Sequence, residues 1–299
     1  MPDHEAWTTG NPDVPPQRGA RHATGDERRT RTAKSDAPSV RSAAKHGSPT
    51  IGAQALAEKI LHAFNTWHFK REQPADPQLM LQIVANAVSR QAPVPFVLYW
   101  GKGPRCSLGA PDVRCLDFLA ALAGRVRAAY APGAAIELIF TDTHAELNGY
   151  SRPTIRKYFA QVALAAGERG FGSCWLGELT QARRLAAADA RDDDSVPPET
   201  LLRLSAGAAK WYRGGGSAEH GALKYYRSNM VERRAVELAF PRAIFITFNG
   251  SEFRDLFPQR LPIFYMYSLR QGVSVKPWFL PADAARCEGS SCHCSAVRP

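Results

Sequence analysis

The sequence predicts an α/β protein with a Rossmann-like, mostly parallel sheet flanked by helices. Three short apolar segments have strand character: Val94–Tyr99, Ala135–Phe140 and Phe171–Leu176. Segments of helical character separate them, and the resulting β-α-β-α-β order is typical of parallel strands joined by right-handed crossovers. In the second segment Ile136, Leu138, Ile139 and Phe140 are apolar, which indicates a strand buried on both faces between layers of helices.

Residues 1–50 are rich in Pro, Gly, Ser, Thr, Arg and Asp. Such a segment buries too little apolar surface to offset its ordering entropy, so we expect a disordered polar and basic tail. A single α/β domain is expected over 51–280, followed by a cysteine-containing tail over 281–299. The domain begins with an amphipathic helix whose apolar residues extend to Trp67. A second helix begins at the pair Asp76-Pro77, a good N-cap and first residue.

The middle of the chain continues the alternation. A helix is expected around Leu116–Tyr130, and Pro132-Gly133 ends it before the second strand. Residues 141–150 are expected to form a loop, and Ser151 begins a helix that runs to about Gly167. A longer helical stretch over Thr180–Leu204 carries an acidic interruption at 192–194.

The C-terminal third begins with a glycine-rich loop over Trp211–Gly216, which is either flexible or close to a ligand. A helix is expected over Asn229–Phe240. Two further apolar segments, Ala243–Phe248 and Ile263–Ser268, have the composition of strands.

Composition excludes several classes of protein. The formal net charge of +10 is spread along the chain without a long basic run or an RNA-binding motif, so we expect no nucleic-acid partner. No apolar run is long enough to span a bilayer, and the N-terminus lacks a secretory signal. Six cysteines in a chain of this length do not indicate a disulfide scaffold, and we expect a cytoplasmic protein. The oligomeric state is left open.

The C-terminal cysteines are the group in the sequence most similar to a metal-binding motif. Cys287, Cys292 and Cys294 crowd the end of the chain around a histidine, but they lack zinc-ribbon spacing, so no metal is predicted. The common nucleotide-binding and hydrolase motifs are missing, and no cofactor is predicted.

Polar side chains follow two of the predicted strands. Lys102 and Arg105 come after the first strand, while Asp142, His144 and Asn148 come after the second. Ligands of open α/β sheets bind beyond the carboxyl ends of the strands, so these residues are candidates for one shared site. Lys102, Asp142 and His144 are the candidate catalytic residues. A lysine made nucleophilic by burial or by a neighbouring cation such as Arg105 could form a Schiff base with a carbonyl substrate, or it could act as a fixed positive charge for a phosphate or carboxylate. The alternatives are that Asp142 caps a turn, that His144 is solvated, and that Lys102 is a solvated loop lysine.

A third candidate group lies beyond the glycine-rich loop, where cations and phenols are concentrated. Lys224, Tyr226 and Arg227 could bind a phosphate or a carboxylate by charge-assisted hydrogen bonds. They could equally form an ordinary charged helix surface.

The order of these motifs resembles that of the isocyanide synthase family. The matching segments are the strand and loop of Val94–Arg105, the pair Pro111-Asp112, the turn Tyr130–Gly133, the strand and loop of Ala135–Ser151, the pair Arg233-Arg234, the strand of Phe240–Phe248, and Lys276–Trp278. Three features differ from the family pattern. Its F-P-x-K-S loop corresponds to Trp100–Pro104, its Asp-Gly pair to Asp142-Thr143, and its Ser-x-His strand ending to Asn249-Gly250.

The resemblance implies a biosynthetic enzyme that converts the amine of an L-amino acid into an isonitrile, with ribulose 5-phosphate as the co-substrate that supplies the carbon. It would assign Lys102 and Arg105 to phosphate or carbonyl binding. Asp142 and His144 would transfer protons or bind the amine, and Asn148 would contact substrate. Lys224, Tyr226 and Arg227 would close the site from the C-terminal side.

Two other functions fit the same predicted fold. One is a different Rossmann-like transferase, which would move a methyl or acyl group between small molecules. The other is a binding protein that keeps the fold without catalysis.

Overall fold

The described part of the chain, in this computed structural model, comprises residues 51–101, 107–182, 196–266, 269–270 and 273–274. The predicted tails, 1–50 and 281–299, lie outside the described residues. The division of the chain into two tails and one domain therefore stays a prediction. None of the helices in the described ranges has the length and apolarity needed to cross a membrane.

Helices and strands alternate through the described residues. The α-helices are α1 Ile51–Phe64, α2 Pro77–Ser89, α3 Ala110–Ala129, α4 Asp142–Leu147, α5 Arg152–Gly167, α6 Leu176–Ala182, α7 Pro198–Trp211 and α8 Ala218–Ala239. The strands are β1 Val94–Trp100, β2 Ala134–Phe140, β3 Gly172–Trp175, β4 Ile244–Thr247, β5 Ile263–Tyr265, β6 Leu269–Arg270 and β7 Val273–Ser274. A 3-10 helix spans Ser251–Leu256.

The first five strands form one parallel sheet in the order β3-β2-β1-β4-β5. The Rossmann-like α/β class predicted from the sequence is confirmed. The chain builds outward from β1 to β2 and β3, and then returns to add β4 and β5 on the other side. The two halves meet between β1 and β4, where Phe96 pairs with Ile244, so this pair of strands is the topological switch point. Strands β6 and β7 form a separate antiparallel pair.

Alternate side chains of the central strands pack into different helical layers. Phe96 and Leu98 of β1 belong to the core cluster shared with α1, α2, α3 and α5. Val97, between them, joins the cluster on the opposite face with α6, α8 and the segment after the 3-10 helix. Strand β1 is therefore buried on both faces, as is typical of a parallel sheet between helical layers. Helix α7 packs on α8, where Ala208 and Ala222 share a third cluster.

Several boundaries differ from the sequence-based expectations. Helix α3, expected around Leu116–Tyr130, begins earlier, at Ala110. Helix α1 ends at Phe64, and Trp67 lies beyond it with 66% of its surface exposed, because a tight turn redirects the chain. The expected loop after β2 contains α4. Helix α6 begins directly after β3, and the expected Thr180–Leu204 helix is represented by the separate helices α6 and α7. Helix α8 begins at Ala218, where the Ser217 hydroxyl accepts a bond from the His220 amide at 3.2 Å.

The start of α2 differs in its chemistry rather than in its position. Pro77 is the first residue, as predicted, but the Asp76 side chain makes no capping hydrogen bond, and its backbone lies in the left-handed region at φ 57°. Its carboxylate instead accepts a bond from Arg254 Nη2 at 2.8 Å. Asp76 therefore connects the entry of α2 to the 3-10 helix that follows β4.

Gly101, at the end of β1, is held against the end of β2. The Thr141 hydroxyl donates to the Trp100 carbonyl at 3.4 Å, and a Cβ at position 101 would overlap that hydroxyl and come within 3.1 Å of the Thr141 Cβ. Only a residue without a side chain fits this close approach, so glycine here sets the spacing of the two strand ends.

We predict that Gly101→Ala lowers the free energy of unfolding by about 1–3 kcal/mol, because the added methyl group overpacks the strand ends. Urea unfolding measures this loss, which Thr141→Ala in the same chain should partly reverse. The matched control is Gly124→Ala in α3, where an added Cβ meets no atom within 4 Å. This control should stabilise the helix by roughly 0.5–1 kcal/mol. Strictly additive effects of the 101 and 141 substitutions would contradict the prediction.

Candidate functional site

A cavity of about 720 Å³ opens at the carboxyl edge of the sheet, at the switch point between β1 and β4. Residues that end the strands form its floor: Tyr99, Trp100, Gly101, Thr141, Thr247, Phe248 and Asn249. The helices around it contribute Pro111, Asp112, Cys115, His144, Asn148, Tyr158, Arg203, Leu204, Gly207, Trp211, Tyr225 and Asn229. Open α/β sheets bind their ligands at this position, which makes the cavity the candidate site.

The short helix α4 places three polar side chains that the sequence analysis expected on a loop. It begins directly after β2, and Asn148 follows its last residue. Gly149, at φ 78°, ends the helix in a left-handed conformation that favours glycine. His144 and Asn148 both line the cavity. Both residues therefore lie at the edge of the sheet, on a helix that the sequence analysis did not predict, and their predicted roles stay predictions.

Glu232 of α8 is a carboxylate buried behind His144, with 1% of its surface exposed. Its Oε2 lies 2.6 Å from His144 Nε2, and its Oε1 accepts bonds from Thr143 Oγ1 at 2.6 Å and Ser228 Oγ at 2.7 Å. A buried charge is tolerated only when it is paired and hydrogen-bonded, and these three donors meet that condition. Glu232 thus attaches α4 to α8.

The pair shifts both pKa values toward the charged forms. Burial opposes the charge of His144, but the Glu232 carboxylate and its hydrogen bond raise the pKa of the imidazole above its ordinary value. Burial likewise opposes the charge of Glu232, and the imidazole with the two hydroxyl donors lowers the pKa of that carboxyl. An ionised carboxylate only accepts, so Nε2 carries a proton and Nδ1 is left to exchange one.

The His144 ring can reach a ligand, since 28% of its side chain is exposed and it lines the cavity. A histidine held at one nitrogen by a buried carboxylate has a fixed ring orientation and a stabilised imidazolium form. This arrangement can serve as a general base and then return the proton as a general acid.

Two further hydrogen-bonded groups line the cavity. The Tyr225 hydroxyl donates to Asn148 Oδ1, and Tyr225 packs against Tyr212 with ring centroids 5.8 Å apart. On the other side, the Trp100 indole N–H donates to the Tyr158 hydroxyl at 3.3 Å, which donates to Asp112 Oδ1 at 3.2 Å. The cavity therefore combines aromatic surface with a few oriented polar groups, as is usual for small-molecule sites.

Asp142 does not join His144 at the cavity, although the sequence places them two residues apart. Its Oδ1 accepts a bond from the Gly177 amide at 2.9 Å, in the first turn of α6, and it is not among the residues that line the cavity. A Cβ at position 177 would lie 2.7 Å from Asp142 Oδ2, so glycine permits this contact. Burial raises the pKa of Asp142, against the opposing effect of the Gly177 amide. Its visible contacts attach α6 to α4.

The other candidates separate into two groups. Lys224 and Arg227 are exposed on α8, Tyr226 is half-buried, and none of the three lines the cavity. Lys224 Nζ lies 5.9 Å from the Tyr212 ring. Lys102 and Arg105 lie outside the described residues, so their predicted roles stay predictions.

Sequence reasoning missed the face of α8 that the site uses. Tyr225, Ser228, Asn229 and Glu232 recur at the spacing of one helix face, and that periodicity was the available signal. It was overlooked because the expected helix began at Asn229. Arg203 of α7 was also missed. In the described ranges, no group of three or more His, Cys, Asp or Glu residues could hold a metal ion.

Comparison with solved structures shows a shared fold. The PvcA protein from Pseudomonas aeruginosa matches with a TM-score of 0.54 and 18% identity, over 75% of this chain and 87% of PvcA. Two tyrosyl-tRNA synthetases complexed with L-tyrosine match more weakly. The enzyme from Pyrococcus horikoshii has a TM-score of 0.43 and 12% identity, over 74% of this chain and 58% of its own. The enzyme from Archaeoglobus fulgidus has a TM-score of 0.39 and 15% identity, over 70% and 63%.

No protein-family model and no curated protein sequence matches the chain. At these identities, the structural likeness establishes the fold and leaves the chemistry to the site itself.

We predict that Glu232→Gln lowers the pKa of His144, because the charge that favours the imidazolium is removed while burial remains. NMR titration of the histidine ring protons measures the shift. Ser228→Ala is the control, since it removes a hydrogen bond to Glu232 and keeps the carboxylate. An unchanged His144 pKa in the Gln variant would refute the coupling.

The same pair predicts how stability depends on pH. The raised pKa of His144 stabilises the fold below the ordinary value of 6.5, and this contribution is lost as the pH rises through the folded-state pKa. The lowered pKa of Glu232 stabilises the fold above 4.5, and this contribution is lost as the pH falls through its folded-state value. The pair should therefore stabilise most between about pH 4.5 and 6.5, a maximum that Glu232→Gln should flatten in urea unfolding.

We predict that Asp142→Ala lowers the free energy of unfolding by about 1–2 kcal/mol, because the Gly177 amide loses its acceptor. Asp142→Asn keeps an acceptor oxygen and should retain most of the stability. The stability of the Asn variant relative to the wild type should rise as the pH increases from 3.8, because the wild-type carboxyl then ionises against its raised pKa. Equal unfolding curves for the Ala and Asn variants would contradict this role.

Proposed function

We propose that this protein is an enzyme that converts the amine of an L-amino acid into an isonitrile, using ribulose 5-phosphate as the source of the carbon. The motif resemblance to isocyanide synthases suggests the reaction. The observation that carries the proposal is the pairing of His144 with buried Glu232 at the edge of a cavity. The fold shared with PvcA is compatible with it.

The size and lining of the cavity suit two small substrates. Its volume of about 720 Å³ falls within the roughly 300–1,000 Å³ of small-molecule sites. Trp100, Tyr158, Trp211 and Tyr225 provide aromatic surface against which the side chain of an amino acid can pack. Polar groups at Asn148 and Thr247 leave hydrogen-bonding positions for a hydroxylated co-substrate.

The first chemical step is a condensation that His144 can assist at both stages. The substrate ammonium loses a proton to His144 Nδ1, and the amine nitrogen then attacks the C2 carbonyl of the ketose to form the N–C bond. Attack leaves a protonated nitrogen and an alkoxide, and one proton passes from that nitrogen to the oxygen to give a hydroxyl. The hydroxyl leaves as water when the imidazolium returns its proton, so the C–O bond breaks and a protonated imine forms. Glu232 keeps the ring oriented and stabilises the imidazolium between the two stages.

In this proposal Lys102 and Arg105 bind the phosphate or the carbonyl oxygen, as the motif resemblance implies. Their place in the chain, directly after β1, is compatible with that role because β1 ends at the cavity. Asp142 has a structural role in the same scheme, because its described hydrogen bond is to the backbone of α6.

The decisive experiment is mass spectrometry of the purified protein incubated with pooled L-amino acids and ribulose 5-phosphate. An isonitrile product, verified by its infrared band, would identify both the reaction class and the amino acid. Consumption of neither substrate would refute the proposed reaction. Retention of S-adenosylmethionine or coenzyme A by the protein would then favour the transferase alternative.

We predict that His144→Gln lowers kcat by about 10²–10⁴, the usual contribution of general acid–base catalysis. Glu232→Gln should also lower kcat and shift its pH profile toward acid, because the His144 pKa falls. His220→Gln is the matched control, since His220 is exposed at the start of α8 and does not line the cavity. Full activity of the His144 variant would exclude this residue as the proton carrier.

A further inference from the structure

The charged side chains on the described cavity wall differ in how well neighbouring groups compensate their charge. Asp112 accepts hydrogen bonds from the Gly109 amide at 2.9 Å and from Tyr158. His144 faces the buried carboxylate of Glu232, which matches its charge. Arg203 of α7 completes the set of cavity-lining residues that carry or acquire charge, among those the structure describes.

The two hydrogen-bond partners of Arg203 compensate its positive charge only weakly. Its Nη1 donates to the Glu252 backbone carbonyl, and its Nη2 lies 3.2 Å from Glu199 Oε2. Glu199 is one turn away on the same helix, and 83% of its side chain is exposed. Water largely screens an exposed pair of this kind, so Glu199 compensates the Arg203 charge only weakly. A guanidinium has five N–H donors, of which these two bonds engage two.

Helix α7 leaves open space in the cavity that Arg203 lines. Gly207 lies one turn beyond Arg203 on α7 and also lines the cavity. A Cβ at position 207 would meet no atom within 4 Å, so the space next to the helix is open there. The bond to the Glu252 carbonyl holds the Arg203 side chain toward the 3-10 helix.

We propose that Arg203 is an anion-binding residue of the cavity and takes a carboxylate or a phosphate monoester there. A planar guanidinium matches either oxyanion with paired N–H donors. This inference rests on the proposed function only for the ligand, because the amino acid supplies a carboxylate and ribulose 5-phosphate supplies a phosphate.

Binding measured without turnover tests this subsite. Isothermal titration gives Kd for ribulose 5-phosphate and for L-tyrosine, each alone, with ribulose and tyramine as their anion-free analogues. The variants are Arg203→Gln, which removes the charge, Arg203→Lys, which keeps it, and Gly207→Leu, which fills the space. Leucine is a better helix former than glycine, so weaker binding by this last variant would not reflect a weakened helix. Thermal unfolding of each variant checks the fold.

The matched control is Arg125→Gln. It removes the same charge from an exposed position in the second half of α3, which leads away from the carboxyl edge.

Arg203→Gln should weaken the binding of one anionic substrate by about tenfold to one-hundredfold, and its anion-free analogue should bind as before. Gly207→Leu should weaken the same substrate, Arg203→Lys should retain part of the affinity, and the control should be unchanged. A loss confined to ribulose 5-phosphate identifies a phosphate subsite, and a loss confined to L-tyrosine identifies a carboxylate subsite.

Equal affinities of the wild type and Arg203→Gln for both substrates would overturn the subsite, as would a wild type that prefers neither anion over its analogue. These outcomes are distinct from failure of the proposed reaction, which is measured by product. A protein that binds the anions through Arg203 and yields no isonitrile would keep the subsite and lose the reaction.

Discussion

The carboxylate of Glu232 is the constraint on which the site depends. A charge this deeply buried must be surrounded by donors, and its donors come from α4 and from α8 itself. Because α4 begins directly after β2, satisfying Glu232 brings α8 over the carboxyl edge of the sheet. The cavity is therefore bounded by two elements that one buried charge holds together, and the histidine that pairs with this charge is the one that faces the cavity.

Much of the fold could be predicted because its signals are local. The apolar run of β2 is buried on both faces, and Pro77 begins α2 where the sequence indicates a helix start. Positions that depend on tertiary contacts were harder to predict. Asp76 resembles an N-cap, but its carboxylate is used by Arg254, from a distant part of the chain. Trp67 continues a helical apolar pattern past the turn that ends α1.

The candidate site was predictable in its location and only partly in its members. Strand order places His144 and Asn148 at the edge of the sheet, and both line the cavity. Asp142 shares the same strand end, yet the start of α6 captures its side chain, a contact that no local pattern specifies. Glu232 and Arg203 come from helices that cross the edge from later in the sequence. These two residues reach the site because α7 packs on α8, and this packing cannot be read from the positions of the motifs along the chain.

The switch point between β1 and β4 also determines when the cavity can form during folding. The partner of β1 on one edge is β2, its near neighbour in the sequence, whereas the partner on the other edge is Ile244–Thr247, far along the chain. Closing so large a loop is entropically costly and slow, and the exposed strand edge is meanwhile available to other chains. The ligand site is thus complete only when the two halves of the sheet have joined.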